Sequence, residues 1–165
     1  MVRKLMVDSS ICTGCQYCEI ICSLHHSKAG EVNPKKARIK IVSDILHGKD
    51  KPVVCRQCQQ PVCLAACKFK AIYIDTKLGI ALVDTARCTG CGTCVESCPF
   101  GAMFFDPVEN VALKCDLCGG EPQCVRFCRT FPHTGYPALA YVEPRQWATR
   151  KQGTVRPGEP YHDTD

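Results

Sequence analysis

Apolar residues in this chain come in short alternating runs set between dense clusters of cysteine. VRKLMVD (2–8) and ARIKIVSD (37–44) alternate in part and predict strands. AIYID (71–75) and IALVD (80–84) flank a KLG turn and predict a hairpin; AMFFD (102–106) and VALKCD (111–116) flank PVEN in the same way. The helical signals are equally brief. CEIICSLHH, CLAACKF, CVESCPF and CVRFC each separate two cysteines by about one helical turn and predict short helices. From Phe131 the chain is rich in proline and glycine, which predicts little regular structure and, over 136–165, an extended arm.

Sixteen cysteines in 165 residues change that picture, because none of these elements is long enough to organise the chain alone. They form four ordered blocks: Cys12, Cys15, Cys18 and Cys22; Cys55, Cys58, Cys63 and Cys67; Cys88, Cys91, Cys94 and Cys98; Cys115, Cys118, Cys124 and Cys128. In each block the first gap is two residues and the last is three, while the middle gap is two, four, two and five. Disulfides, zinc or iron–sulfur clusters are the chemistries that such a density allows. Disulfide scaffolds belong to oxidising compartments, and MVRKLMVDSSICTGC carries no apolar signal region, so the expected location is cytoplasmic. Zinc uses CxxC pairs, but has no use for a repeated third cysteine with a fourth one turn later. Two-residue gaps fold successive sulfurs inward around a cubane face, and the trailing helical turn carries the last sulfur off that loop toward a different centre. The expected cofactors are therefore four 4Fe-4S clusters with all sixteen cysteines as metal ligands; one 3Fe-4S centre in the set is the alternative.

The formal charge of +5 is read differently once the clusters are counted. With about −2 at each of four thiolate-ligated centres, the total becomes about −3, so the basic excess offsets cluster charge and is no nucleic-acid footprint. No apolar run is long enough to span a membrane. There is no nucleotide-binding glycine loop after a strand and no phosphate loop, so no catalytic residue is expected. Glu19, Glu96 and Asp116, inside the ligand blocks, read as backbone-orienting or solvent-facing groups, His25 and His26 as loop or helix-cap residues, and Tyr17 as cluster packing.

The four blocks resemble the iron–sulfur electron-transfer subunits of the molybdopterin oxidoreductase family, over Cys12 to Cys128. Within that group the chain more closely resembles the polyferredoxin small subunit of tungsten-dependent aldehyde oxidoreductases or of the related aromatic-ring-reducing tungsten enzymes. The resemblance implies an α+β fold of two interlocked bacterial-ferredoxin-like modules, each holding two 4Fe-4S clusters, with short hairpins and short helices. It also implies a crossed pairing: Cys12, Cys15 and Cys18 with Cys128; Cys115, Cys118 and Cys124 with Cys22; Cys55, Cys58 and Cys63 with Cys98; and Cys88, Cys91 and Cys94 with Cys67. Spacing alone would equally allow adjacent blocks to pair. The implied division is an inner module at 50–110 and an outer module from 1–49 plus 111–135. Residues 136–165 read as a C-terminal docking arm with Tyr136, Tyr141 and Trp147 as anchors, and Trp147 reads equally as completing the core.

The sequence departs from the family where a proline usually follows the closing cysteine. Only Cys98 keeps it, as Pro99, whereas Ser23, Lys68 and Arg129 follow the others. Lys68, Lys70, Arg56 and Arg129 lie beside ligands in sequence, and their charge is expected either to favour a reduced cluster or simply to aid solubility. The expected function is electron relay by a non-catalytic subunit. It would run between a tungsten or molybdenum pterin catalytic subunit, an aldehyde oxidoreductase, and a flavoprotein using FAD or NAD or another acceptor. The alternative is a free polyferredoxin serving several redox enzymes. Self-association into a longer conductor is left open.

Overall fold

Alternation that never persists produces strands that pair only once. A computed structural model describes residues 3–27, 29–106, 108–130 and 135–151. In chain order the elements are β1 (Lys4–Val7), α1 (Tyr17–His25), β2 (Ile39–Asp44), β3 (Lys49–Val54), α2 (Val62–Ala66), β4 (Ile72–Asp75) and β5 (Ile80–Val83). They continue with α3 (Thr93–Glu96), β6 (Phe104–Asp106), β7 (Val111–Leu113), α4 (Gln123–Arg126), β8 (Leu139–Val142) and α5 (Pro144–Lys151). Among the described residues the strands form four separate antiparallel pairs: β1 with β8, β2 with β3, β4 with β5, and β6 with β7. The fold is α+β, built of small strand and helix units that resemble bacterial-ferredoxin topology.

The two predicted hairpins form as read, with Ile72 opposite Val83 and Phe104 opposite Leu113. Each cysteine block ends in one of the short helices α1 to α4. β3 is a strand that the sequence hides: KDKPVV mixes three charges with a proline, yet Pro52 sits opposite Ile41. A two-stranded sheet has only edge strands, so the missing proline N–H costs little there. The β2–β3 hairpin also runs across the 49/50 division and places Val54 and Cys55 in a core with Leu5, Cys18, Cys22 and Ile39. A second core gathers Cys63, Ile72, Ala81, Cys94, Met103 and Ala112.

The C-terminal region corrects the expectation of little regular structure after Phe131. β8 pairs with β1 from Leu139↔Val7 to Val142↔Lys4, joining the first strand to the last. Leu139 is almost fully buried, worth about 2–3 kcal/mol. Pro144 opens α5, where a fixed φ and a missing N–H are tolerated. Trp147 is buried against Ala140, Val142, Met6 and Tyr136, with the two rings edge to face at 6.2 Å. The Tyr136 hydroxyl donates to Asp8 Oδ2 at 3.3 Å, and Arg3 lies 4.9 Å over the Tyr141 ring. The three expected anchors are thus engaged within the chain, and 152–165 of the expected arm lie outside the described residues. No described helix is long and apolar enough to cross a membrane.

Candidate metal centres

Each block begins with a CxxC turn, and all four turns share one backbone feature. The residue before the second cysteine has positive φ: Gly14 (65°), Gln57 (48°), Gly90 (71°) and Leu117 (56°). Glycine adopts this conformation freely at Gly14 and Gly90. Side chains resist it, and Gln57 and Leu117 are held there by burial, at 9% and 2% exposure. Gly14 and Gly90 also make room. A Cβ on Gly14 would collide with the Asp50 carboxylate from the β2–β3 hairpin, and a Cβ on Gly90 would collide with the Asn110 amide from the β6–β7 hairpin.

The helix after each turn buries the third cysteine (Cys18, Cys63, Cys94, Cys124), while the second faces outward: Cys15, Cys58 and Cys91 are exposed and Cys118 is half-buried. The closing cysteines meet backbone N–H groups. Arg38 N donates to Cys22 Sγ at 3.2 Å, Ala71 N to Cys67 Sγ at 3.3 Å and Ala102 N to Cys98 Sγ at 3.4 Å.

Among the described residues, these cysteines line four solvent-open cavities. Cys12, Cys15, Cys18 and Cys128 line one of about 390 Å³. Cys115, Cys118, Cys124 and Cys22 line one of about 290 Å³. Cys88, Cys91, Cys94 and Cys67 line one of about 370 Å³. Cys55, Cys58, Cys63 and Cys98 line one of about 770 Å³, larger because it continues over Pro61, Val62, Pro99 and Phe100. Every cavity therefore takes three cysteines from one block and the closing cysteine of another.

Two features test whether these cavities suit a metal–sulfur cluster. First, the thiols oppose one another's ionisation. Burial, then the neighbouring Cys12 and Cys128, pushes Cys18 up to about 12, and burial with Cys88 pushes Cys94 up to about 11. Cys115 is likewise pushed up to about 12 by burial, with Cys55 and Cys22 adding to it. Thiolates so arranged need a cationic core, and its binding displaces their protons. Second, Lys114 is buried at 4% exposure and lines the Cys55 cavity, yet it enters no ion pair among the described residues. Among the described residues its Nζ donates only to Gln57 Oε1, at 3.1 Å, and Gln57 Nε2 in turn donates to Cys115 O at 3.1 Å. A buried ammonium without a carboxylate costs several kcal/mol, and the sulfur-lined cavity is the place for the compensating negative charge. The donor set fits an anionic thiolate-ligated cluster.

Of the basic residues singled out in the sequence, Lys68, Lys70, Arg56 and Arg129 are all exposed; Arg56 edges the Cys55 cavity and Arg129 the Cys12 cavity. Glu19 and Asp116 do orient backbone: Glu19 accepts from Ile41 N, and Asp116 Oδ1 accepts from Cys118 N at 3.0 Å. Asp116 also pairs with Arg38 and with His26, whose Nε2 lies 3.2 Å away. His26 caps α1 by donating its N–H to Cys22 O, as read, and its ring adds the link to Asp116. Ligand atoms of His25, His26 and Cys118 all lie within 4.8 Å of one another at the edge of the Cys115 cavity. Glu96 is exposed. Tyr17, also exposed, lines the Cys12 cavity. Lys114 and Gln57 escaped the sequence reading; the one available signal was a lysine ending the apolar strand VAL directly before a ligand.

Small ferredoxin-like units wrapped around thiol-lined cavities define an iron–sulfur electron-transfer protein. Residues 48–133, over half of the chain, match the 4Fe-4S dicluster domain. The chain belongs to this family. It is 34% identical over 138 residues to the polyferredoxin-like subunit of aliphatic sulfonate oxidoreductase from Pyrococcus furiosus, covering 84% of this chain and 76% of that protein. It is 29% identical over 159 residues to the thiosulfate reductase electron transfer subunit PhsB from Salmonella typhi, covering 90% of this chain and 82% of that protein. Among solved structures it is similar to the active-site complex BamBC of benzoyl coenzyme A reductase in complex with 1,5 dienoyl-CoA. That match has 30% identity and a TM-score of 0.49, with 84% of this chain and 74% of that chain covered.

Proposed function

We propose that the chain is a non-catalytic subunit of a cytoplasmic redox complex, relaying electrons through four 4Fe-4S clusters. The clusters would be held by Cys12/15/18/128, Cys115/118/124/22, Cys55/58/63/98 and Cys88/91/94/67. The observation that carries this reading is the exchange of closing cysteines, since each cavity joins two blocks. When bound, such clusters supply one-electron redox steps without any movement of substrate.

The rest falls to the chain's own residues. Cys18, Cys22, Cys115, Cys124 and Cys55 share the first core, and Cys63, Cys98, Cys67, Cys88 and Cys94 meet in the second. On this reading the sites run from the Cys12 centre through the Cys115 and Cys55 centres to the Cys88 centre, an order that the shared cores support. They also support an outer module (1–49 plus 111–135) interlocked with an inner one (50–110). Both terminal centres expose one cysteine, Cys15 and Cys91, where partners can approach; Cys58 of the Cys55 centre is exposed as well.

The partner at one end is a tungsten or molybdenum pterin subunit, an aldehyde oxidoreductase by the resemblance of the cysteine blocks. At the other end is a flavoprotein using FAD or NAD, or another acceptor. Both relatives are named as subunits of a redox enzyme, which supports the assembly. Anaerobic purification of the native complex tests the reading. The expected result is a large partner carrying tungsten or molybdenum and clusters in this chain that are reduced on adding aldehyde. A lone monomer exchanging electrons with several enzymes would replace the dedicated subunit with a free carrier.

A further inference from the structure

Fixed charge is unevenly shared among the four centres. Lys114, buried and outside any ion pair among the described residues, faces the Cys55 centre, which the exposed and solvent-screened Arg56 also edges. The Cys12 centre has carboxylates instead. Glu19 is buried one residue from Cys18 with its oxygen on Ile41 N, and Asp50 sits over Gly14 inside the Cys12–Cys15 turn. Neither carboxylate enters an ion pair among the described residues. Arg129, the one cation edging that cavity, is exposed and screened by solvent. At the Cys88 centre the slot over Gly90, matching the one over Gly14, holds the neutral amide of Asn110. At the Cys115 centre the carboxylate of Asp116 is met by Arg38 and His26. An added electron makes a centre more negative, so a nearby ammonium favours it and nearby carboxylates oppose it.

On this basis, and resting on the four-cluster reading, we propose that the chain is electrically tilted. The Cys12/15/18/128 centre has the lowest reduction potential of the four, set by Glu19 and Asp50, and the Cys55/58/63/98 centre lies above it, set by Lys114. An electron delivered at the Cys12 end then passes downhill: one centre is oxidised, the other reduced, and no proton or bond moves. The Cys12 end is accordingly the face for the low-potential donor.

The test is an anaerobic potentiometric titration with dithionite, followed by EPR, on the wild type and on Lys114→Gln, Lys114→Arg, Asp50→Asn and Asn110→Asp, with iron measured in each. Lys114→Gln should lower one midpoint by about tenfold in the reduction equilibrium, ~59 mV for one electron, while Lys114→Arg leaves it in place. Asp50→Asn should raise the lowest of the four midpoints, and Asn110→Asp should lower a different one. With full iron, unshifted midpoints overturn the proposal, as does an Asp50-sensitive midpoint above the Lys114-sensitive one. If Lys114→Gln does not retain iron, the Asp50 and Asn110 variants decide alone: Asp50→Asn must move the lowest midpoint upward, and any other response overturns the tilt. Wild-type iron far below about sixteen per chain would instead overturn the four-cluster reading itself.

Discussion

His26 Nε2 lies 3.2 Å from both carboxylate oxygens of Asp116, ninety residues further along the chain. The contact ties the end of α1 to the CDLC turn, so the closing cysteine Cys22 and the three cysteines it joins are fixed to each other. Burial works against a charged His26, but the hydrogen bonds to Asp116 and Cys22 outweigh it and raise the imidazole from 6.5 to about 9. Burial likewise opposes the Asp116 charge, and His26 and Arg38 overcome it, holding that carboxyl well below its usual range.

A raised histidine stabilises the fold fully below its unfolded value and loses that contribution as pH rises through its folded value. For His26 the loss falls between pH 6.5 and about 9. Asp116, lowered from 3.8, keeps its contribution above that pH and loses it only in stronger acid. His26→Gln should therefore cost about 2 kcal/mol near pH 6.5. The gap between variant and wild type should narrow as pH approaches 9. Thermal bleaching of the holoprotein across that range measures it, and a pH-independent gap would contradict the assignment.

Gly14→Ala should destabilise the Cys12 centre through two separable effects. The positive φ costs about 1–2 kcal/mol, and the new methyl meets the Asp50 carboxylate. Asp50→Ala in the same chain removes only the second, so the double variant should recover part of the loss. Iron retention during anaerobic gel filtration reads both.

Trp147→Ala should cost about 3–5 kcal/mol, because the indole fills the core behind β1 and β8. Thermal unfolding of the holoprotein checks this. Unchanged stability would return Trp147 to the docking role that its sequence context implied.

Crossed pairing gives a fourth expectation. Cys128→Ser should perturb the centre of Cys12, Cys15 and Cys18, and leave that of Cys115, Cys118 and Cys124, its own sequence neighbours, intact. EPR of the variant beside Cys22→Ser, which should show the reverse, distinguishes the two assignments.

Much of this was legible from residues that act locally. The β4–β5 and β6–β7 hairpins follow from turn residues between alternating runs, and the four helices follow from cysteines one turn apart. What escaped depends on distant partners. β3, charged and carrying a proline, shows no strand signal until β2 is placed beside it, and β8 reads as part of a proline-rich tail until β1 requires a partner. Lys114 is unremarked at the end of VAL, because its burial and its bond to Gln57 arise only when the second and fourth blocks meet. The spacing within a block announces three convergent sulfurs, but the source of the fourth is a tertiary fact that spacing alone left open.

Iron and acid-labile sulfide counted per polypeptide, on anaerobically isolated protein with EPR after reduction, bear most directly on the central claim. Sixteen cysteines in four shared quartets predict about sixteen irons with cubane signals. About eight irons or fewer, or bound zinc in place of iron, would contradict it.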